Sequence, residues 1–229
     1  MKKIIFILLC VVLTSLTGAT KAQKQHDYVD LGLPSGTLWS TCNLGASNPG
    51  EYGDYYAWGE TSTKTIFTWE TYKYAKDGSH HKLTKYCHIP IYGGYQYTDS
   101  LAILERSDDA AYVQWGSNWC TPTTEQFKEL YDNCNHKWIK QYEGKDIAGM
   151  LFTSNINGKT IFFPAAGRKR DHGKVYCEWE EGVYMSTELD LSCPSSSKPL
   201  YFNLHMYINT AHACGRCAGI CVRPVRRSK

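Results

Sequence analysis

The sequence predicts an α+β fold, in which two helices near the middle of the chain are followed by an antiparallel sheet. Two observations support the helices and the sheet. Apolar residues recur at helical spacing between residues 107 and 134, and they recur with a period of two after Gly149. A third observation predicts long ordered loops, because the segment 28–60 is rich in Gly, Pro, Trp and Tyr and keeps no regular period.

The first predicted element is a secretory signal peptide over residues 1–22. Lys2 and Lys3 precede an apolar run over 4–13, and small residues lead to a cleavage site after Ala22. The run is shorter than the roughly 20 apolar residues that a membrane span requires. We therefore expect an exported protein, secreted, at the cell surface or in the periplasm, with no integral membrane span. Residues 23–229 are expected to form a single domain.

The charge of the chain argues against nucleic acid as a partner. The formal charge of +3 equals the contribution of Lys2, Lys3 and Lys21, so the mature chain is formally neutral. A neutral chain has no general electrostatic attraction for nucleic acid or for an anionic membrane. A protein or a glycan is the expected kind of partner.

The first helix is expected to run from an N-cap at Ser107 through Trp115. Asp108 and Asp109 would place negative charge at the positive end of the helix dipole, and Gly116 would end the helix. The second helix is indicated by Thr123 and Gln126, which have the spacing of a capping box. The apolar positions that follow at i, i+3, i+4 and i+7 are Phe127, Leu130, Tyr131 and Cys134.

Strands are predicted in the second half of the chain. The segments 150–154 and 159–163 flank Asn157-Gly158, a dipeptide typical of tight hairpin turns. Further strands are expected at 182–186, 200–209 and 220–225. Apolar residues alternate with polar ones over 200–209, which predicts one buried and one wet face. A tight bend near 203–205 would divide this segment into two strands. The alternation would then predict which side chains face outward only within each strand.

Five sequence blocks carry a resemblance to a known family: YVDLGLPSGTLWSTCNLGAS, EYGDYYAWGE, DDAAYVQWGSNWCTPTTEQFKEL, IFFPAAGR and CVRPV. In this order they resemble the Fibrobacter succinogenes major paralogous domain family of secreted and surface proteins from Bacteroidetes-type bacteria. The resemblance implies a C-type lectin-like fold, the fold also used by formylglycine-generating enzymes. It further implies that the termini lie close together, with the segment 28–31 pairing near 221–225.

Tryptophans in or beside these blocks are expected in the core, because burying an indole ring stabilises a fold more than burying an average side chain. They are Trp39, Trp58, Trp115, Trp119 and Trp138.

The expected function is non-catalytic binding or adhesion, with a protein or glycan held by the C-terminal sheet and loops. In the wider fold that the resemblance implies, variable binding residues lie before the closing strand. Aromatic rings beside Asn and His make adaptable contact surfaces, although an ordinary wet sheet face has the same composition. The candidate contact residues, expected to be exposed and clustered, are Trp179, Tyr201, Asn203, His205, Tyr207, Asn209 and Arg216.

Nine cysteines remain after the signal peptide, and three of them form a C-x-x-C-x-x-x-C pattern. With His212 nearby, Cys214, Cys217 and Cys221 are candidate zinc ligands. The pattern lacks a second paired motif, and disulfide bonds are favoured in an exported chain. We therefore expect no metal and no cofactor.

Two other classes of function remain open. One is an enzyme related to formylglycine generation, with a reactive cysteine among Cys193, Cys214, Cys217 and Cys221. Against it, the chain has no Gly-x-Ser-x-Gly, His-Glu-x-x-His, phosphate-loop or dinucleotide-binding motif. The other is a structural component of a surface appendage.

Overall fold

Short strands and two α-helices make up the regular structure of residues 25–227, the part of the chain that this computed structural model describes. The predicted signal peptide at 1–22 lies outside the described residues. The strands are β1 Tyr28–Asp30, β2 Thr37–Ser40, β3 Tyr55–Tyr56, β4 Cys134–Ile139, β5 Gly149–Ser154, β6 Thr160–Pro164, β7 Arg168–Arg170, β8 Lys174–Tyr176, β9 Glu181–Tyr184, β10 Ser196–Ser197, β11 Leu200–Asn203, β12 Ile208–Asn209, β13 Cys214–Gly215, β14 Ile220–Cys221 and β15 Val225–Arg227. The helices are α1 Ala110–Trp115 and α2 Thr124–Asn133. The chain is therefore a mixed α+β protein, as predicted.

Single 3-10 turns punctuate the long loop before α1. They are Trp69–Thr71, Lys76–Gly78, Pro90–Tyr92, Gly94–Gln96 and Arg106–Asp108. No helix among the described residues has both the length and the apolar composition needed to cross a membrane.

Helix α1 begins later than the sequence predicts. The N-cap is Asp109 rather than Ser107, because the Asp109 carboxylate accepts hydrogen bonds from the backbone N–H groups of Ala111 and Tyr112. The Thr121 hydroxyl also donates to this carboxylate, at 2.6 Å, and so ties the cap to the following loop. Gly116 ends the helix with a φ of 88°, a conformation that glycine adopts without strain.

Helix α2 confirms the predicted capping box. The Thr123 hydroxyl accepts from the Gln126 N–H, and the Gln126 side chain accepts from the Thr123 N–H. Phe127 and Leu130 are fully buried, as the apolar spacing predicts, whereas Tyr131 of the same predicted stripe is 40% exposed. The helix ends before the last predicted apolar position, because Cys134 is the first residue of β4.

Two separate sheets are formed, one by strands from the two ends of the described chain and one by strands from its middle. One contains β1, β2 and β15, with β2 in the centre, and the other contains β4, β5 and β6. The expected pairing of segment 28–31 near 221–225 is wrong, because β1 and β15 both pair with β2 and not with each other. The hairpin of β5 and β6 confirms the prediction around Asn157-Gly158, where Gly158 has a φ of 73°.

The largest sheet has the strand order β12-β11-β9-β14-β3. All its neighbours are antiparallel except β14 and β9. The predicted continuous strand 200–209 is divided into β11 and β12 by a tight turn. Within this turn the Asn203 N–H donates to the Tyr207 carbonyl, and Met206 has a φ of 63°.

The core is built on aromatic contacts between these units. Trp39 of β2 packs against Phe127 of α2 and Phe163 of β6, with ring centroids 5.5 and 5.9 Å apart. Phe163 in turn meets Tyr184 of β9 at 4.9 Å, which links the second sheet to the largest one. Trp58, Trp115 and Trp119 are buried like Trp39, as predicted. Trp138 is only partly buried.

Candidate functional site

An exposed apolar surface lies where two turns meet at one edge of the largest sheet. Trp179 precedes β9, and Leu204, Met206 and Tyr207 lie between β11 and β12. Their side chains are 41%, 40%, 39% and 53% exposed, respectively. The Leu204 N–H donates to the Glu180 carbonyl at 2.9 Å, which joins the two turns. These four residues are called the turn patch below.

The turn patch rests on a defined backbone. The Asn203 Oδ1 accepts hydrogen bonds from the N–H groups of His205 and Tyr207, at 3.0 and 3.3 Å. Below the turn, the Trp138 N–H donates to the Met206 Sδ at 3.2 Å. Trp179 and Met206 both have positive φ values, 72° and 63°. Bulky residues rarely adopt this conformation, and where they do the surrounding structure determines it.

Polar residues from the predicted site surround the patch. His205 is exposed, and Asn203 and Asn209 are half-buried. The Asn209 Nδ2 donates to the Tyr207 hydroxyl at 3.4 Å, and its Oδ1 accepts from the Ala211 N–H at 2.9 Å. Asn203 therefore shapes the turn, while His205 and Tyr207 face outward as predicted.

Tyr201 was expected on the outward face, and this expectation is wrong. The residue is only 9% exposed, because His212 stacks on the Tyr201 ring with centroids 4.5 Å apart. The Tyr201 hydroxyl donates to Glu181 Oε1 at 2.9 Å. Burial raises the pKa of Tyr201, and the neighbouring Glu181 raises it further. Tyr201 supports the patch from below.

Arg216 was also expected to be exposed, and it is fully buried. Its Nε donates to the Tyr72 hydroxyl at 2.8 Å, and its Nη1 donates to the carbonyl groups of Tyr86 and Pro194 at 3.0 Å each. The guanidinium carbon lies 5.0 Å from the centre of the Trp58 ring. Arg216 therefore holds loops together and is not available to a ligand at the surface.

Leu204 and Met206 are the patch residues that the sequence pattern missed. Their phase in the alternation predicted buried side chains, and the turn exposes both. Asn203 was the available signal, because an Asn side chain readily hydrogen-bonds to backbone groups two residues further along a turn.

The cysteine cluster does not assemble a metal site. Among residues 25–227, no three His, Cys, Asp or Glu side chains are placed to hold a metal ion. Cys214 and Cys221 are buried, and the Cys221 thiol donates a hydrogen bond to the Tyr52 carbonyl at 3.3 Å. His212 stacks on Tyr201. No disulfide joins Cys193, Cys214, Cys217 and Cys221 in the structure, so the expected bridges stay a prediction.

Thiol acidity differs among the four cysteines. Burial raises the pKa of Cys214, and it raises those of Cys217 and Cys221 to about 11 and about 12. Burial also acts upward on Cys193, but hydrogen bonds with Ser195 and other hydroxyls outweigh it, and the pKa of Cys193 is lowered. The Cys193 Sγ lies 3.1 Å from the Ser195 Oγ.

Comparisons of this chain with protein-family models, with curated proteins and with solved structures found no match. The family resemblance read from the five sequence blocks therefore stays a prediction.

Proposed function

We propose that the chain is an exported, non-catalytic binding or adhesion protein that contacts a protein ligand through the turn patch. The observation that carries this proposal is the exposure of four large apolar side chains on two hydrogen-bonded turns. Apolar and aromatic residues clustered on a rigid surface are typical of the centre of an interface. The positive φ values of Trp179 and Met206 support a surface that is already formed before binding.

The composition of the patch favours a protein over a glycan. Glycan sites combine aromatic rings with several polar groups, whereas Leu204 and Met206 add flexible aliphatic surface that suits an apolar partner side chain. Two exposed glutamates, Glu178 and Glu180, flank Trp179 in the sequence. Because the Glu178 side chain is hydrogen-bonded to Tyr52, Glu180 supplies the negative charge beside Trp179. A ligand with an apolar centre and a basic edge would complement this arrangement.

We further propose that the fold is C-type lectin-like. Three features support this assignment: two helices in the middle of the chain, many short strands joined by long loops, and terminal strands β1 and β15 in one sheet. The turn patch then lies before the closing strand, as the sequence resemblance implies for the binding region.

Protein and glycan arrays test the proposed function. The mature protein, probed with and without calcium, is expected to retain protein ligands independently of calcium. Substituting Tyr207→Ala together with Leu204→Ala is expected to weaken that binding about tenfold or more, because truncating central apolar contacts costs at least about 1–2 kcal/mol.

The matched control for this experiment is Tyr131→Ala with Ile156→Ala. These residues have the same kinds of side chain, are 40% and 53% exposed, and lie on α2 and on the β5–β6 turn. The control is expected to bind like the wild type. Equal binding by the patch variant and the wild type would contradict binding through the turn patch. Binding to glycans and to no protein on the arrays would show that the ligand is a glycan.

The enzyme alternative now rests on Cys193, the one of the four candidate cysteines whose pKa is lowered. Its Sγ is surrounded by the hydroxyls of Tyr92, Ser195 and Ser196. Selective alkylation of Cys193 near neutral pH would favour this alternative if the protein also bound no ligand on the protein and glycan arrays.

A further inference from the structure

A cleft of about 530 Å³ opens between the loop 103–106, α1, the segment 117–121 and β15. None of its lining residues belongs to the turn patch. Its walls are apolar at Ile103, Tyr112 and Trp119. Polar side chains also line it, among them Arg106, Thr187 and Arg226. A concave site that combines aromatic walls with a few polar groups is the usual form of a small-molecule site.

Thr187 supplies a polar group with no partner. The residue is 7% exposed, and within the described part of the chain its Oγ1 is buried without a hydrogen bond. The backbone of Thr187 is satisfied, because its N–H donates to the Pro122 carbonyl and its carbonyl accepts from the Leu104 N–H, both at 2.9 Å. A buried hydroxyl without a partner is costly, so its position on a cleft wall indicates a ligand atom that completes it.

Two residues with guanidinium groups, Arg106 and Arg226, line the same cleft as this hydroxyl. The Arg226 guanidinium carbon lies 3.9 Å from the centre of the Tyr28 ring and 5.5 Å from that of Trp119. Its Nε is buried without a hydrogen-bond partner in residues 25–227. Arg106 is exposed, with its guanidinium carbon 5.7 Å from the Tyr112 ring centre. Neither arginine forms a salt bridge to a described carboxylate.

The acidic groups nearby are engaged elsewhere. Asp109 lies in the cleft wall, but its carboxylate accepts from the Ala111 and Tyr112 N–H groups and from both the N–H and the hydroxyl of Thr121. Glu105 pairs with Lys85, and Glu188 accepts from the Thr124 N–H at 2.9 Å. The two arginines are thus left to act on a bound molecule.

We propose that this cleft binds a small carboxylate that carries a ring. Guanidinium groups bind carboxylates with charge-assisted hydrogen bonds, for which Arg106 and the Arg226 Nε are the donors. The Thr187 hydroxyl completes the polar end of the site, and the ring of the ligand packs against Trp119 and Tyr112. This site is independent of the turn patch and goes beyond the proposed binding function.

Tryptophan indole NMR signals of the full mature chain test the proposal with two matched pairs of probes. The acidic probes are benzoate and glucuronate, and their neutral counterparts are benzamide and glucose. Both acids are expected to shift the indole N–H signal of Trp119 in a saturable way, while both neutral compounds leave it in place. The Trp179 signal, which reports on the turn patch, is expected to stay unchanged with all four probes.

Two variants check the polar end of the site. Arg106→Gln and Thr187→Val are each expected to raise the Kd of the acids about tenfold, because each removes a group that contacts the carboxylate. Thr187→Val is expected to keep the wild-type melting temperature, since its hydroxyl has no partner to lose. Arg170→Gln, an exposed arginine elsewhere, is the matched control and is expected to keep the wild-type affinity.

Three results would overturn the carboxylate site. They are equal shifts of Trp119 with acids and neutral analogues, no shift of Trp119 with either acid, and unchanged affinity in both Arg106→Gln and Thr187→Val. Each leaves the proposed protein-binding function untouched, because that function is read from Trp179 and from the patch variants.

Discussion

Two fully buried arginines, Arg216 and Arg223, hold the loops of this protein by binding carbonyl oxygens. Arg223 donates to the Ser40, Thr41 and Phe162 carbonyls and to the Asn43 side chain. Burial lowers the pKa of Arg223. Both guanidinium groups lie near aromatic rings, with Arg223 4.6 Å from the centre of Phe163. Carbonyl dipoles and aromatic rings therefore stabilise each cation, and no carboxylate among residues 25–227 forms a salt bridge with either one.

The burial of Arg216 could not be predicted from its neighbours in sequence. It stands in a Gly- and Cys-containing stretch whose composition suits a surface loop. Its partners, Tyr72, Tyr86 and Pro194, are contributed by distant parts of the chain. A local sequence pattern does not reveal such distant partners. The sequence therefore predicted that Arg216 contacts a ligand, whereas in the fold it makes contacts within the protein.

Replacing Arg216 with Met tests this role. The substitution preserves much of the side-chain length but leaves several buried acceptors, including the Tyr86 and Pro194 carbonyls, without a donor. Because each unsatisfied buried acceptor costs about 1–3 kcal/mol, we expect the free energy of unfolding to fall by at least about 3 kcal/mol. Urea denaturation measures the loss. The exposed Arg170→Met is the control, and an equal effect of both substitutions would contradict the assignment.

At the scale of elements, the turn between β11 and β12 decides which side chains face water. The period of two holds only while the backbone stays extended, and it ends where Asn203 captures the N–H groups of His205 and Tyr207. Leu204 and Met206 are consequently exposed. Tyr201 precedes the turn, within β11, and is buried because the rings of His212 and Tyr207 cover it. The capping box of α2 and the β5–β6 hairpin were predictable because each depends on residues a few positions apart.

The pairing of β9 with β11 gives a second test at this scale. Gly182 lies opposite Phe202, and a Cβ placed on Gly182 would lie 2.0 Å from the Phe202 Cζ. Gly182→Ala must therefore displace a buried ring, and we expect it to lower the free energy of unfolding by about 2 kcal/mol. Thermal and urea unfolding measure the change.

Gly215→Ala is the matched control for this substitution, because Gly215 also lies in a strand and a Cβ there has no neighbour within 4 Å. We expect its effect to stay within about 0.5 kcal/mol. If Gly182→Ala were as stable as Gly215→Ala, the close approach of β9 to the Phe202 ring would be wrong.

At the scale of the whole molecule, stability at acid pH depends on the buried carboxylate of Asp108, which accepts hydrogen bonds from lysine and tyrosine side chains. Burial raises the pKa of Asp108, but hydrogen bonds from Lys85 at 2.6 Å, from Tyr86 at 2.8 Å and from Lys73 at 3.2 Å outweigh burial. The pKa of Asp108 is lowered from 3.8 to about 2. Folding therefore favours the ionised form, and the resulting stability is present above pH 4 and is lost as the pH falls towards 2.

Asp108→Asn tests this linkage. From pH 5 to pH 2 the wild type is expected to lose up to about 2 kcal/mol more stability than the variant, since the variant has no carboxylate to protonate. Urea unfolding at each pH provides the comparison. The adjacent Asp109, whose pKa burial raises, is present in both proteins, so its titration cancels in the difference. Parallel pH profiles would contradict the role of Asp108.

The overall class of the fold was predictable, but its strand order was not. The α+β class follows from local periodicities, and two helices and a hairpin confirm it. The central place of β2 between β1 and β15 depends on contacts between the two ends of the chain, which no local period encodes. The exposed surface around Trp179 and Tyr207 was predicted in part. Its polar and aromatic residues could be identified from the sequence, but the sequence did not decide whether a turn divides the segment 200–209.

The most direct test of the turn patch is an indole NMR titration with a protein ligand selected on the arrays. The seven tryptophans give separate reporters at known depths, from the exposed Trp179 to the buried Trp39 and Trp58. We predict that the Trp179 signal shifts most and that Trp138, beneath Met206, follows. Trp39 and Trp58 are expected to stay in place. A ligand that leaves Trp179 unchanged while shifting Trp119 or Trp69 would contradict binding through the turn patch.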